Sequence, residues 1–237
     1  MPKHGKRYRA VAEKVAPGVH SPEEAVALAK EIASAKFDEA IEFHISTSAD
    51  PRHADQQIRE VAELPHGTGK QVRILVFAEG DAARAAMDAG ADFVADEEIV
   101  KRIEAGWADF DIAIATVDQM PRIGRLGRFL GRKGLMPNPR TGTVVQPGDV
   151  ANAVASAKRG RSELRMDKQA NIHSRIGVAS FSEQQIMENM VAVFGTVIRA
   201  RPDGVKGQLV RSATLATTMG PGIKLDVAAL EAASRNA

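Results

Sequence analysis

The sequence predicts an α+β outer domain, an antiparallel sheet with helices, split in two by an inserted α/β domain with a parallel sheet. Three observations lead there. In the first and last thirds, strand-like segments alternate apolar and polar residues, as half-buried antiparallel strands do. In the middle third the strand-like runs are continuously apolar, as in strands covered on both faces. Those middle runs also alternate with helical patterns, the grammar of a parallel sheet. The grammar changes near 66–70 and 158–162. The outer domain is therefore placed at 1–67 and 160–237, and the inserted domain at 68–159. Two chain crossings side by side make a two-segment hinge.

Each element has its own reason. Residues 3–15 read as a short basic helix, ended by Pro17 and Gly18. Ser21-Pro22-Glu23-Glu24 is a helix start, with Ser21 as N-cap, Pro22 in the first turn and Glu24 at the capping-box position. That helix is predicted to run to about Lys36, with Ala25, Leu28, Ala29 and Ile32 as its apolar stripe. Residues 40–46 alternate, with Ile41, Phe43 and Ile45 facing in and Glu42, His44 and Ser46 facing out. Asp50-Pro51 turns, and residues 58–64 form the next strand.

Pro65-His66-Gly67-Thr68-Gly69-Lys70 is a sharp break. After it, 72–77, 92–94 and 111–116 read as strands. Residues 81–89, 96–105, 117–130 and 148–157 read as helices. Alternating strands return at 163–166, 172–178, 208–217 and 223–227. A long helix from Ser182 to Arg199 lies among them, with Ser182 as N-cap.

Composition bounds the chemistry. The chain has 237 residues, 44% of them hydrophobic but only 4% aromatic, so its core must be largely aliphatic. It has no cysteine, which removes disulfides, thiol catalysis and thiolate metal sites and fits a reducing cytosol. No apolar run reaches the roughly 18 residues of a membrane span, so no membrane partner is expected. The N-terminal MPKHGKRYRA is basic without a following apolar segment and does not fit a secretory signal.

Motif tests find no enzyme signature. Gly67-Thr68-Gly69-Lys70 invites a phosphate-loop reading, but Leu64 stands where that loop needs Gly and Gln71 where it needs Ser or Thr. A strand-connecting turn or hinge is the better reading. The histidines show no HExxH and no paired metal spacing, and His44 and His173 are expected at strand surfaces. There is no G-x-S-x-G elbow. An α/β enzyme of nucleotides or sugar phosphates would need a glycine-rich turn after 72–77. Ala78-Glu79-Gly80-Asp81 instead puts two acids where the anion would sit. No catalytic residue, cofactor or metal is expected.

Charge points to a polyanion. The net charge of +2 hides segregation. Residues 79–111 hold ten acids against Arg84, Lys101 and Arg102, and this segment is expected to form a solvated acidic face. Residues 120–143 hold Arg122, Arg125, Arg128, Arg132, Lys133 and Arg140 with no acid, interleaved with five glycines and three prolines. A basic, turn-rich surface of this kind suits a phosphate backbone. Residues 214–222, TLATTMGPG, end a strand in small hydroxyls, a methionine and two glycines. Glycine allows close backbone approach, and hydroxyls can bond a ribose 2′-OH or a base edge, but taken alone an ordinary turn is the better reading of this segment.

The sequence resembles the large-subunit ribosomal protein L-one family, the protein of the mobile stalk beside the tRNA exit site. The resemblance rests on Gly5-Lys6-Arg7-Tyr8, Lys36-Phe37-Asp38-Glu39 with Glu42, Asp50-Pro51-Arg52, and Leu64 through Lys70. It continues in Ala89-Gly90-Ala91-Asp92, Gly134-Leu135-Met136-Pro137-Asn138-Pro139, Gly142-Thr143-Val144, Asp167-Lys168, and Thr217-Thr218-Met219-Gly220-Pro221. These occur in the family's order and cover nearly the whole chain.

The resemblance implies a Rossmann-like, three-layer inserted domain on the hinge. It implies an outer domain that binds the stalk region of large-subunit ribosomal RNA through Lys36, Phe37, Glu42, Ser212, Thr218, Met219 and Gly220. Lys36 would meet phosphate, Phe37 would offer an apolar contact, and Glu42, a carboxylate buried against RNA, and Thr218 would hydrogen-bond ribose or base groups. Arg122, Arg125, Lys133 and Arg140 would be secondary basic contacts. The family further implies help in releasing deacylated tRNA from the exit site, repression of the protein's own operon through its messenger RNA, a cytoplasmic ribosomal location, and a monomer when free. Repression would use the same RNA surface as ribosome binding, so the sequence does not separate the two. The family pattern usually has Pro where this chain has Arg132, and segment 13–20 also departs from it.

Overall fold

The computed structural model describes residues 5–236, so Lys3 and the start of the basic N-terminal segment fall outside it. The chain divides into two compact units. One holds the described residues up to Gly69 together with those from Ser162 onward, and the other is Lys70–Arg161.

The first unit opens with helix α1 (Lys6–Ala12), shorter than the sequence suggested, which buries Val11. Helix α2 (Pro22–Ile32) starts as expected. The Glu24 N–H donates to Ser21 Oγ and the Ser21 N–H donates to the Glu24 carboxylate, which closes the capping box. It ends at Ile32 rather than Lys36, because Ala33 turns to extended backbone and the chain enters a loop. Strand β1 (Ala40–Thr47) keeps the predicted alternation, with Ile41, Phe43 and Ile45 fully buried. Strand β2 (Arg59–Glu63) follows.

The second unit runs through β3 (Ile74–Phe77), α3 (Gly80–Asp88), β4 (Phe93–Val94), α4 (Glu97–Glu104), β5 (Ile112–Thr116), α5 (Met120–Ile123), α6 (Gly127–Leu130), β6 (Val144–Val145) and α7 (Val150–Arg159). Its four strands form a parallel sheet in the order β4-β3-β5-β6. Successive residues of β3 feed opposite layers. Ile74 and Val76 join Ala86, Val150 and Val154, whereas Leu75 and Phe77 join Ile103, Leu126 and Leu130. That is why this strand is apolar at every position.

Two expectations fail in this unit. Residues 117–133 do not form one regular helix; short α and 3-10 turns alternate. Pro121 lacks an N–H, and Gly124, Gly127 and Gly131 stand in open space with no side chain to hold a regular turn. The acids of 79–111 are also not simply a solvated face. Asp92 accepts from the Ile74 N–H at 2.8 Å and from Lys158 at 2.7 Å. Asp111 accepts from the Arg73 N–H at 3.0 Å and from Lys70. Burial pushes both carboxyls up, but these lysines and backbone donors hold both below their usual value.

The chain then returns to the first unit. Strand β7 (Arg161–Arg165) pairs with β2, and β8 (Asn171–Val178), α8 (Glu183–Arg199), β9 (Val210–Thr217), β10 (Gly222–Leu225) and α9 (Val227–Asn236) follow. Ser182 and Gln185 cap α8 with a second capping box. Helix α9 replaces the end of the predicted 223–227 strand. Asp226 starts it by accepting the N–H of Ala228 at 2.8 Å. The antiparallel sheet has the order β10-β9-β1-β8. Helices α2, α8 and α9 pack against it, and its other face carries the polar residues of each strand.

The 65–70 break is a turn stapled to α8. Asn189, fully buried, accepts the His66 N–H at 3.1 Å and donates to the carbonyls of Gly67 at 2.8 Å and Ile176 at 2.7 Å. Gly69 has φ +72°, and a Cβ there would stand 2.7 Å from Val178 Cγ2.

Candidate RNA interface

Two loops meet at one end of the antiparallel sheet. The 33–39 loop between α2 and β1 carries Lys36 and Phe37, and the turn between β9 and β10 carries Thr218, Met219 and Gly220. Glu39 joins them. It is 1% exposed, and its carboxylate accepts the backbone N–H of Ala35 at 2.7 Å and of Met219 at 2.9 Å. Burial alone pushes this carboxyl up, but the donors from Met219 and Ala35, with smaller ones behind them, outweigh it and hold it below its usual value. Asp38 fixes the same loop from the other side, accepting from the Ser180 N–H at 3.0 Å and hydroxyl at 2.7 Å.

So anchored, the loops hold apolar side chains out to solvent. Phe37 is 55% exposed and Met219 50%, with Lys36 exposed beside Phe37 in the chain. Gly220 is required where it stands. A Cβ there would collide with Thr217 Oγ1 and approach Ile32 Cδ1 to 3.2 Å.

Thr218 also has a part within the protein. Its hydroxyl accepts the Ala40 N–H at 2.9 Å, and it lies 3.3 Å from the Ala40 carbonyl, to which it donates. The hydroxyl thus helps to close the end of the sheet.

The open face of the sheet continues from this tip. Glu42 lies opposite Ala216 on one side and Arg175 on the other, next to the tip, and is exposed. One row further, His44 lies between Thr214 and His173, and Lys224 lies opposite Thr214. Ser212 pairs with Ser46 at the far end. At about 3.3 Å per residue it is about 20 Å from Thr218. The structure therefore gathers Lys36, Phe37, Thr218, Met219 and Gly220 at the tip, puts Glu42 beside them, and leaves Ser212 on the same face but apart.

Sequence reasoning missed Glu39 as the group that positions this tip. Its one signal was a carboxylate just before an alternating strand. The secondary basic residues lie in the other unit. Arg122 is paired with Glu79 at 2.8 Å, Lys133 donates to the Gly106 carbonyl at 3.4 Å, and Arg125 and Arg140 are exposed. Among the described residues no group of three or more His, Asp or Glu could hold a metal ion, and no helix is long and apolar enough to cross a membrane.

The described residues form a mixed α/β protein with antiparallel and parallel sheets, in which an anchored apolar tip lies beside a polar sheet face. The profile of the Ribosomal protein L1p/L10e family matches residues 29–221. The chain is 54% identical to the Large ribosomal subunit protein uL1 of Thermomicrobium roseum over 96% of its own length and 95% of that protein. It is 49% identical to the uL1 protein of Dehalococcoides mccartyi (98% of each chain), and 51% identical to that of Thermosipho melanesiensis over 97% of this chain and 99% of the other. The chain belongs to the Ribosomal protein L1p/L10e family.

Proposed function

We propose that this chain is a constituent of the large ribosomal subunit in the cytoplasm and binds the stalk region of large-subunit ribosomal RNA through the tip and open sheet face. The observation that carries this reading is the exposed Phe37 and Met219 beside Lys36, on loops pinned by a buried carboxylate. Exposed apolar side chains on rigid backbone lose little entropy on binding, and they can cover a ribose or stack on a base. Lys36 supplies the phosphate contact. Glu42 accepts from a ribose hydroxyl or a base amino group, and the glycine at 220 admits RNA close to backbone.

In the same reading, residues 68–159 swing on the two chain crossings. That motion assists release of deacylated tRNA from the exit site, with Arg125 and Arg140 free to meet its phosphates. The outer surface also binds the protein's own messenger RNA and represses its operon. The free protein is a monomer.

The test is a titration of the full chain against a stalk-region ribosomal RNA fragment, with an unrelated hairpin as competitor, at two salt concentrations. Wild type should hold the fragment against competitor. Met219→Ala should bind about five- to tenfold more weakly, a typical loss for one apolar contact to RNA. A wild type that prefers neither RNA, or a Met219→Ala variant that binds as wild type, would remove the tip from the interface.

A further inference from the structure

On the open sheet face, two histidines face each other across β1 and β8. His44 Nδ1 and His173 Nδ1 are 2.8 Å apart, and the rings meet edge to face with centroids 5.0 Å apart. Each outer nitrogen faces a carboxylate. Glu42 lies 3.7 Å from His44 Nε2, and Asp167 lies 3.5 Å from His173 Nε2. The chain Glu42, His44, His173, Asp167 crosses the face next to the tip.

Proton counting limits the states of this chain. A hydrogen bond between two Nδ1 atoms needs one proton and one lone pair. With both rings neutral, two protons serve four ring nitrogens: one lies between the Nδ1 atoms and the other on a single Nε2. The remaining Nε2 then turns a lone pair toward a carboxylate, which repels it. One more proton removes that conflict, because both Nε2–H groups then face carboxylates and the Nδ1 bond survives. A further proton would destroy the Nδ1 bond. Each contact is therefore attractive only when the pair carries one positive charge.

Two titration tendencies agree with that count. Burial and the neighbouring His173 hold His44 below the usual histidine range, against the pull of Glu42, so His44 resists the further proton. The backbone N–H of Asn171 leads the groups that keep Asp167 ionised.

We propose that the His44–His173 pair holds a single proton on the open sheet face and makes that face a proton-linked contact for RNA phosphate. This rests on the reading of the face as part of the RNA interface. The charged groups around the pair are Glu42 on β1, Arg175 on β8, Lys224 on β10, exposed Arg165 at the end of β7, whose neighbour Met166 bridges Ile172, and Asp167 with exposed Lys168 in the turn before β8. Strand β9 presents only Thr214 opposite His44. The proton adds to Arg175, Lys224 and Lys168 around two carboxylates, and the face becomes one that attracts phosphate. Phosphate in turn favours the protonated pair, so RNA binding takes up a proton.

The experiment titrates the full chain with the stalk-region ribosomal RNA fragment at about pH 6 and about pH 8 and constant ionic strength. Wild type should bind about tenfold tighter at the lower pH, the effect of one charge-assisted contact. His173→Gln and His44→Gln should each flatten this profile to under about twofold. Calorimetry of wild type near pH 7, in buffers of different ionisation enthalpy, should show uptake of up to about one proton per complex. A flat wild-type profile, a His173→Gln profile like that of wild type, or no proton uptake would overturn the proposal. If wild type does not prefer the fragment to an unrelated hairpin at either pH, the RNA reading itself falls, and this proposal with it.

Discussion

Replacing Glu39 with Gln tests how the tip is held. The carboxylate is almost fully buried and accepts two backbone N–H groups, from Ala35 at 2.7 Å and Met219 at 2.9 Å. An amide of the same shape offers one oxygen, so the second N–H meets an NH2 group instead. The variant loses one charge-assisted bond and leaves a buried donor unpaired, at a cost of about 2–3 kcal/mol. Urea unfolding at neutral pH reads that loss directly. The carboxyl is held below its ordinary value of 4.5 in the folded chain, so its stabilisation is fully present above that value. It disappears as pH falls through the lower, folded value, and the gap between wild type and Glu39→Gln should close in that window. RNA affinity should also fall, because the Met219 turn is released from the 33–39 loop. A Glu39→Gln protein within about 0.5 kcal/mol of wild type at neutral pH, with unchanged RNA affinity, would refute the idea that this carboxylate organises the tip.

Other substitutions follow from the same geometry. Asn189→Ala should cost about 2–4 kcal/mol in urea unfolding, because it strands the buried partners at His66, Gly67 and Ile176. Gly69→Ala should lose more than about 1 kcal/mol, from positive φ and from the clash with Val178, and a thermal melt will show it. Thr218→Ala should lower stability by about 1 kcal/mol as well as weaken RNA binding, since its hydroxyl closes the sheet at Ala40. Arg122→Ala should barely change affinity for the stalk fragment or its salt slope, because Arg122 is already engaged with Glu79; a slope reduced by about one would contradict this.

Much of the fold was legible because local chemistry agreed with it. The capping box at Ser21 and the N-cap at Ser182 fixed helix starts, and the alternation of Ile41, Phe43 and Ile45 fixed which face of β1 is buried. Failures came where local preference was weak. Ala33-Ser34-Ala35-Lys36 contains no helix breaker, yet the chain leaves the helix there because Glu39 and Asp38 hold it in a loop from partners far along the sequence. Helix α9 had a signal in Asp226 and the alanine-rich stretch after it, but the preceding strand was extended over its start. The exposed residues of the tip were legible only through family resemblance. Their anchoring by Glu39 was not, because its partner Met219 lies 180 positions away. The His44–His173 bond spans 129 positions and has no sequence signature at all.

The split of the chain also has a consequence for how the protein is made. Every buried cluster lies wholly within one unit among the described residues. The Lys70–Arg161 unit is closed by contacts among its own consecutive segments, so it can collapse as soon as it is synthesised. The outer sheet must wait. Its strand β1 is an early product of synthesis, but both of its neighbours, β8 and β9, come from beyond residue 170. Until then β1 presents two unpaired edges, a hazard for pairing with other chains. An early-folded insert shortens the loop that must be closed and lowers its entropic cost. The middle of the sequence thereby acts as a folding aid for its two ends.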